Sequence, residues 1–267
     1  MKLVSAARLR RAQEALLNAR PYHESLKRVS DSLFGSVPDA MGLAEDARRG
    51  ALILVITSDR ALCGGYNANL LRMAEETAHR CATEGLEAKF FAVGRKALDH
   101  FRRTKAALDG DRINNTPRLA TVGLARDLAA KLIEEFRSGA IVEAGVVYSA
   151  FRSAISQRPT YDQLLPVEPP KPADDGGATL PTDYTIEPSA VELMPVVLRS
   201  YVEAAIFHAL LEGEASEHGA RMTAMDSATN NAVDMIARLT LEMNRARQAQ
   251  ITRELMDIVG GSEALRG

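Results

Sequence analysis

The last quarter of the chain constrains the fold more than any other feature. After Pro195 no proline interrupts the run from about 196 to 259. From Met222 onward, Met222, Met225, Thr229, Ala232, Ile236, Leu239, Met243 and Ala246 recur in three–four alternation. That is a heptad seam. Ser189 and Glu192 form a capping box for the leading turn. Gly213 and Gly219 lower helix propensity without forbidding a helix. Such a helix would be roughly 90 Å long at ~1.5 Å per residue. No domain of this size is that wide, so the helix is predicted to protrude, and its apolar seam must meet another helix. Ala232, Ala246 and Thr229 keep the seam small, which suits a slim rod.

The beginning of the chain supplies the candidate partner. Leu3, Leu9, Leu16, Leu17, Leu26, Val29 and Leu33 recur at helix-compatible gaps over residues 1–34. The segment is basic, with Lys2, Arg8, Arg10, Arg11, Arg20, Lys27 and Arg28 against Glu14, Glu24 and Asp31. Pro21 is predicted to kink or split it. The helical pattern is already running at Met1, with no capping signal before it. The two terminal helices are therefore predicted to pair antiparallel, with the intervening domain clamped to one side.

Between them the pattern changes. "ALILVIT" (51–57), "EAKFFAV" (87–93) and "IVEAGVVYS" (141–149) read as buried strands. Residues 66–83, 96–103 and 121–137 read as helices, and "ISQRPTYDQLLPV" as an edge element. Strands alternating with helices give an α/β domain with a mostly parallel sheet. Residues 35–50 read as a loop, and the Pro-, Asp- and Gly-rich stretch 168–188 as an extended linker. The predicted organisation is a helix and loop over 1–50, an α/β domain over 51–167, the linker, and a helix over 189–267.

Composition excludes several classes. The formal net charge of -2 is no basis for nucleic-acid binding. Two cysteines, Cys63 and Cys81, make no disulfide framework and fit a reducing compartment. No apolar run is long enough to span a bilayer, and the basic N-terminus lacks the apolar core of a secretory leader. Any membrane role runs through partners. Scarce aromatics, with no Trp among 267 residues, favour helix packing over a β-sandwich.

"ITSDRALCGGYNANLLR" (56–72) stands where nucleotide-binding α/β proteins place a phosphate loop. A Walker loop needs G-x-x-x-x-G-K-[ST], and a dinucleotide fingerprint needs G-x-G-x-x-G. The chain offers only Gly64-Gly65. A helix N-terminus still attracts anions; the alternative is a tight strand-to-helix turn. Asp59 and Arg60 could be a catalytic pair or a surface pair. Cys63 could be a nucleophile or an inert thiol. His23, His79, His100, His208 and His218 fall on separate elements without metal-ligand spacing. Glu212, Glu214 and Glu217 are expected to be solvated. Near the end, Arg245, Arg247, Gln248 and Arg253 either complement the helix dipole or meet acidic loops of a partner. Beyond them Ile251, Leu255, Ile258 and Val259 give an apolar tip that needs a socket.

Three stretches carry a family resemblance: "MKLVSAARLRRAQEA", "ITSDRALCGGYNANLLR" and "ARMTAMDSATNNAVDMIARLTLEMNRARQAQITRELMDIVGG". They resemble the hallmark stretches of gamma subunits of F-type ATP synthases, and the likeness runs through nearly the whole chain. It implies a central-stalk rotor that couples ion flow through a membrane ring to ATP synthesis or hydrolysis in an alpha–beta hexamer. The implied fold is a long antiparallel coiled coil of the N- and C-terminal helices plus a Rossmann-like α/β domain. The implied partners are alpha and beta subunits, an epsilon subunit and the c-subunit ring, with no nucleic acid. The implied location is the cytoplasmic face of a bacterial inner membrane, held there through partners.

The resemblance also assigns residues. Arg247 and Gln248, in "ARQA", match contacts with beta-subunit loops, and Arg221 matches a shaft position facing the moving beta arm. Met1, Lys2, Arg8 and Arg11 match the basic strip of the shaft. Ile251, Leu255, Ile258 and Val259 match the tip seated in the hexamer's sleeve. No catalytic residue, cofactor or metal is implied for this chain; ATP, ADP and Mg belong to the partner subunits. Members of that family begin several helical turns before "MKLVSAAR", so the upper shaft is expected to lack its partner helix here. The alternatives are a small nucleotide-binding α/β protein with helical oligomerisation arms, and a coiled-coil adaptor without torque-coupled turnover.

Overall fold

The computed structural model describes residues 1–36, 49–112, 120–167, 187 and 189–264. The chain divides into two compact units, Met1–Thr223 and Ala224–Gly267.

In the first unit a five-stranded sheet has the order β3-β2-β1-β4-β5. Its members are β1 (Gly50–Ile56), β2 (Glu87–Val93), β3 (Leu108–Arg112), β4 (Glu143–Phe151) and β5 (Gln157–Leu165). The pairs β1–β2, β1–β4 and β2–β3 are parallel, and β5 closes one edge antiparallel to β4. β1 is buried on both faces, which explains its continuous apolar run. Ala51, Ile53 and Val55 face a layer built from α2 (Tyr66–Thr83) and α3 (Arg95–Thr104). Leu52, Leu54 and Ile56 face the opposite layer, built from α4 (Val122–Arg137) and the first part of α5 (Ala190–Ala264). There Leu128 and Leu132 of α4 meet Met194, Leu198, Val202, Ile206 and Leu210 of α5. Leu33 of α1 (Lys2–Ser36) joins the same core.

The expected capping box at Ser189 forms, and Thr121, read as helical from sequence, is instead the cap before α4. Thr121 caps α4, its side chain accepting from the Leu124 N–H at 3.2 Å. The Ser189 hydroxyl accepts from the Glu192 N–H at 3.3 Å and meets the Glu192 carboxylate at 3.2 Å. Others are corrected. α1 runs unbroken through Pro21, so the expected split is absent. An interior proline costs about 3 kcal/mol, and buried Leu9, Ala12, Leu16 and Leu33 hold the helix on both sides of it. Gly35 and Ser36 belong to α1 rather than to a loop. The rest of that expected loop, 37–48, and nearly all of the expected linker lie outside the described residues. The strand β3 was not foreseen, because "LDGDR" carries no apolar alternation.

The glycines of α5 have a positive role. A Cβ on Gly213 would stand 3.2 Å from Ile56 Cγ2, and one on Gly219 would stand 3.2 Å from Gln157 Nε2 and 3.3 Å from the Ala154 carbonyl. The Tyr66 hydroxyl donates to the Gly213 carbonyl at 3.0 Å. Glycine lets this helix lie close on β1 and on the β4–β5 turn. Gly213→Val is therefore expected to lower unfolding free energy by about 2 kcal/mol through overpacking. Gly123→Val, where a Cβ meets nothing within 4 Å, is the control. Urea denaturation of the two variants measures the difference.

Candidate functional site

Every described residue from 227 onward is exposed. This includes the seam residues Ile236, Leu239 and Met243 and the tip residues Ile251, Leu255, Ile258 and Val259. Arg245, Arg247, Gln248 and Arg253 are exposed on the same unit. Unit two therefore presents the predicted contact pair and the apolar tip together on one helical stretch.

The predicted pairing of the terminal helices occurs between α1 and the part of α5 that lies on the sheet. Ser5, Leu9, Ala12 and Leu16 are buried at spacings of four, three and four, which makes one face of α1. Leu9 and Ala12 cluster with Ala215, against Met222, Phe151 and Ala154. Further along, the His23 ring stacks on His208 with centroids 4.4 Å apart. Numbers rise on one helix as they fall on the other, so the pair is antiparallel.

The Gly64-Gly65 turn leads into α2, whose N-terminus carries no side-chain cap. The N-terminal N–H groups of the neighbouring helix α3 find their acceptors in the residues just after β1. The Arg95 N–H donates to Asp59 Oδ1 at 2.8 Å, the Lys96 N–H to the Ser58 carbonyl at 3.2 Å, and the Ala97 N–H to Thr57 Oγ1 at 2.9 Å. Asp59 is thus a cap for a neighbouring helix. Cys63 is buried, with Asn67 Nδ2 donating to its sulfur at 3.1 Å. Asn67 also accepts from the Ser58 N–H at 3.0 Å.

That turn also grips α5. Arg221 is buried, its guanidinium 2.5 Å from Glu217 and donating to the carbonyls of Arg60 at 3.2 Å and Ala61 at 3.5 Å. Burial raises the Glu217 pKa, against the pull of Arg221. The glutamates expected in solvent are engaged instead. Glu212 is buried and accepts from the Phe151 N–H at 3.2 Å, and Glu214 accepts from the Ala120 N–H at 3.4 Å. Glu212 thus serves a backbone donor at the end of β4, Glu214 one just before α4, and Glu217 pairs with Arg221 on its own helix.

Three of the predicted contact residues converge. Met1, Arg8 and Arg221 line one cavity of about 330 Å³ with Arg60, Leu62 and His218. Lys2 and Arg11 are exposed along the same helix. Leu62 is 57% exposed and holds a positive φ of 68° at the rim. Its conformation is strained for a branched apolar residue, a feature not legible in the residue pattern. Among the described residues no group of three or more His, Cys, Asp or Glu side chains is placed to hold a metal.

Comparisons with known proteins agree on one family. A family model described as ATP synthase matches residues 1–265. The ATP synthase gamma chain of Desulfitobacterium hafniense is 44% identical, covering 99% of this chain and 92% of that protein. The gamma chain of Moorella thermoacetica is also 44% identical, covering 100% of this chain and 92% of that one. Among solved structures, the fold is similar to a chain from the central stalk and c-ring of Tetrahymena thermophila mitochondrial ATP synthase. That match has a TM-score of 0.64 at 22% identity, covering 86% of this chain and 97% of that one. A chain of Euglena gracilis mitochondrial ATP synthase gives 0.60 at 20% identity, covering 97% and 95%.

The Arg221–Glu217 pair yields a direct test. Arg221→Met leaves a buried carboxylate without its cation, which costs about 3 kcal/mol. Adding Glu217→Gln is expected to recover part of that loss in a double-mutant cycle read by urea denaturation. Strictly additive losses would show that the two side chains are not coupled.

Proposed function

The chain belongs to the ATP synthase gamma-chain family, and we infer that its work is mechanical: it is the central-stalk rotor subunit, coupling ion flow to ATP synthesis or hydrolysis in the alpha–beta hexamer. The observation that carries this reading is the exposed helical stretch from residue 227, with its heptad seam and apolar tip. An apolar surface of that extent calls for enclosure, and a hexamer of alpha and beta subunits supplies the sleeve. The c-subunit ring and an epsilon subunit hold the α/β end.

In this reading Arg247 and Gln248 meet polar loops of the beta subunits, and Ile251, Leu255, Ile258 and Val259 seat in the sleeve. Arg8, Arg11, Met1, Lys2 and Arg221 form the lower contact, around the cavity at the β1–α2 turn. Charge-assisted contacts of guanidinium with carboxylate are directional as well as strong. A shaft with unequal helices cannot touch three identical sites alike, so each orientation favours a different subunit conformation. Moving a site from 1:99 to 99:1 takes about 5.5 kcal/mol of differential contact, which several such contacts together provide. The nucleotides and magnesium reside in the partner subunits. The absence of a Walker or dinucleotide glycine pattern around Gly64-Gly65 weighs against a nucleotide in this chain's own loop.

No described helix is long and apolar enough to cross a membrane. Attachment to the membrane complex runs through the ring and epsilon, on the cytoplasmic face of a bacterial inner membrane.

Co-expression with alpha and beta subunits from the same source tests the reading. A stable complex with ATP turnover well above that of alpha and beta alone is expected. In the double variant Arg247→Ala, Gln248→Ala, assembly or coupled turnover should fall about tenfold, the loss of one or two charge-assisted hydrogen bonds. The circular dichroism of the isolated chain should stay unchanged. ATP-driven proton pumping equal to that of the parent would remove these two residues from the contact.

A further inference from the structure

Two histidines far apart in sequence meet at the α1–α5 contact. His23 and His208 stack with centroids 4.4 Å apart and ring planes within 11°. His23 Nδ1 is buried with no hydrogen-bond partner. His208 Nε2 stands 3.5 Å from Glu212 Oε1, and its side chain is 17% exposed. Neutral imidazoles stack well face to face; two imidazolium rings at this distance repel.

The surrounding charges do not offset that repulsion. From α1 come Arg20, Glu24 and Lys27; from β5, Asp162; from the end of β4, Arg152; from α5, Glu212. Asp162 is engaged by the Tyr148 hydroxyl at 2.7 Å, and Glu212 by the Phe151 N–H. Burial raises the Glu212 pKa, so acid also weakens its charge.

We propose that the His23–His208 stack is an acid-sensitive latch, holding the N-terminal helix on the C-terminal helix when both rings are neutral and releasing it when they are protonated. Burial, then the neighbouring His23 and Arg20, lower the His208 pKa to about 4. Burial, then Lys27, lowers that of His23. A histidine with a lowered pKa in the docked state contributes stability that is complete above its ordinary value of about 6.5 and is lost as pH falls toward the docked value. The window of release therefore runs from about pH 6.5 downward. The latch is a property of this chain alone and does not depend on the rotor reading.

Hydrogen exchange of the full-length chain at pH 7.5 and pH 5, corrected for intrinsic rates, reads the latch directly. Protection of residues 13–30 in the parent should fall on the order of tenfold at pH 5. In His23→Gln, His208→Gln it should fall less than twofold, while α2 keeps its protection in both. Should the double variant fail to fold, His208→Gln alone serves, with the fall reduced relative to the parent. An equal fall in parent and variants, no fall in the parent, or loss of α2 protection in step with α1 would each overturn the proposal.

Discussion

Everything in this molecule rests on how the first part of α5 is anchored. Met194, Leu198, Val202, Ile206 and Leu210 recur every fourth residue and bury against Leu52, Leu54 and Ile56. Each such side chain contributes roughly 1.5–3 kcal/mol on burial. The anchor explains how residues beyond 227 stay helical while exposed. A free helix must form its first turn at a nucleation penalty of about 10⁻³. A helix continued from a buried base has its nucleus already made, and each further residue adds a hydrogen bond. The exposed stretch is thus an extension of the core, energetically as well as in sequence.

Burial of apolar faces alone would leave such a helix free to slide or rotate in its groove. The polar contacts remove that freedom. Ser216 donates to the Ser149 carbonyl at 2.8 Å, Glu212 accepts from Phe151, and Arg221 donates to the turn after β1. The Tyr66 hydroxyl reaches the Gly213 backbone where the missing side chain leaves room. These are directional bonds to backbone from several turns of one helix. A part that transmits torque needs such keys, because nondirectional packing resists rotation poorly.

Period was the part of the fold the sequence spelled out. The boundaries of α2 and β2 follow from their patterns alone, as do the mixed sheet and both terminal helices. What stayed hidden has a common cause: it depends on residues distant in the chain. Glu212 and Glu214 look like a solvated face until the end of β4 and the start of α4 bring backbone donors to them. His23 and His208 look scattered until the helices pair. The register of that pairing was not legible, because the heptad seam after Met222 is more regular than the stretch before it. Regularity marks where a helix can pair; the buried base decides where it does. For the candidate contacts, residue type and order were legible in Arg247, Gln248 and the tip. The convergence of Met1, Arg8 and Arg221 on one cavity was not, since it needs α1, the turn and α5 together.

The turn after β1 shows how one scaffold serves two purposes. In an open α/β sheet this corner, at the carboxyl ends of the parallel strands, is where ligands gather. Here Thr57, Ser58 and Asp59 satisfy the donors of α3, while the carbonyls of Arg60 and Ala61 turn outward to Arg221. The corner that could have cradled an anion instead presents acceptors to a cation on α5. The carbonyls the turn leaves free, those of Arg60 and Ala61, thus help to seat α5 by way of Arg221, and the residues before them fix the start of α3.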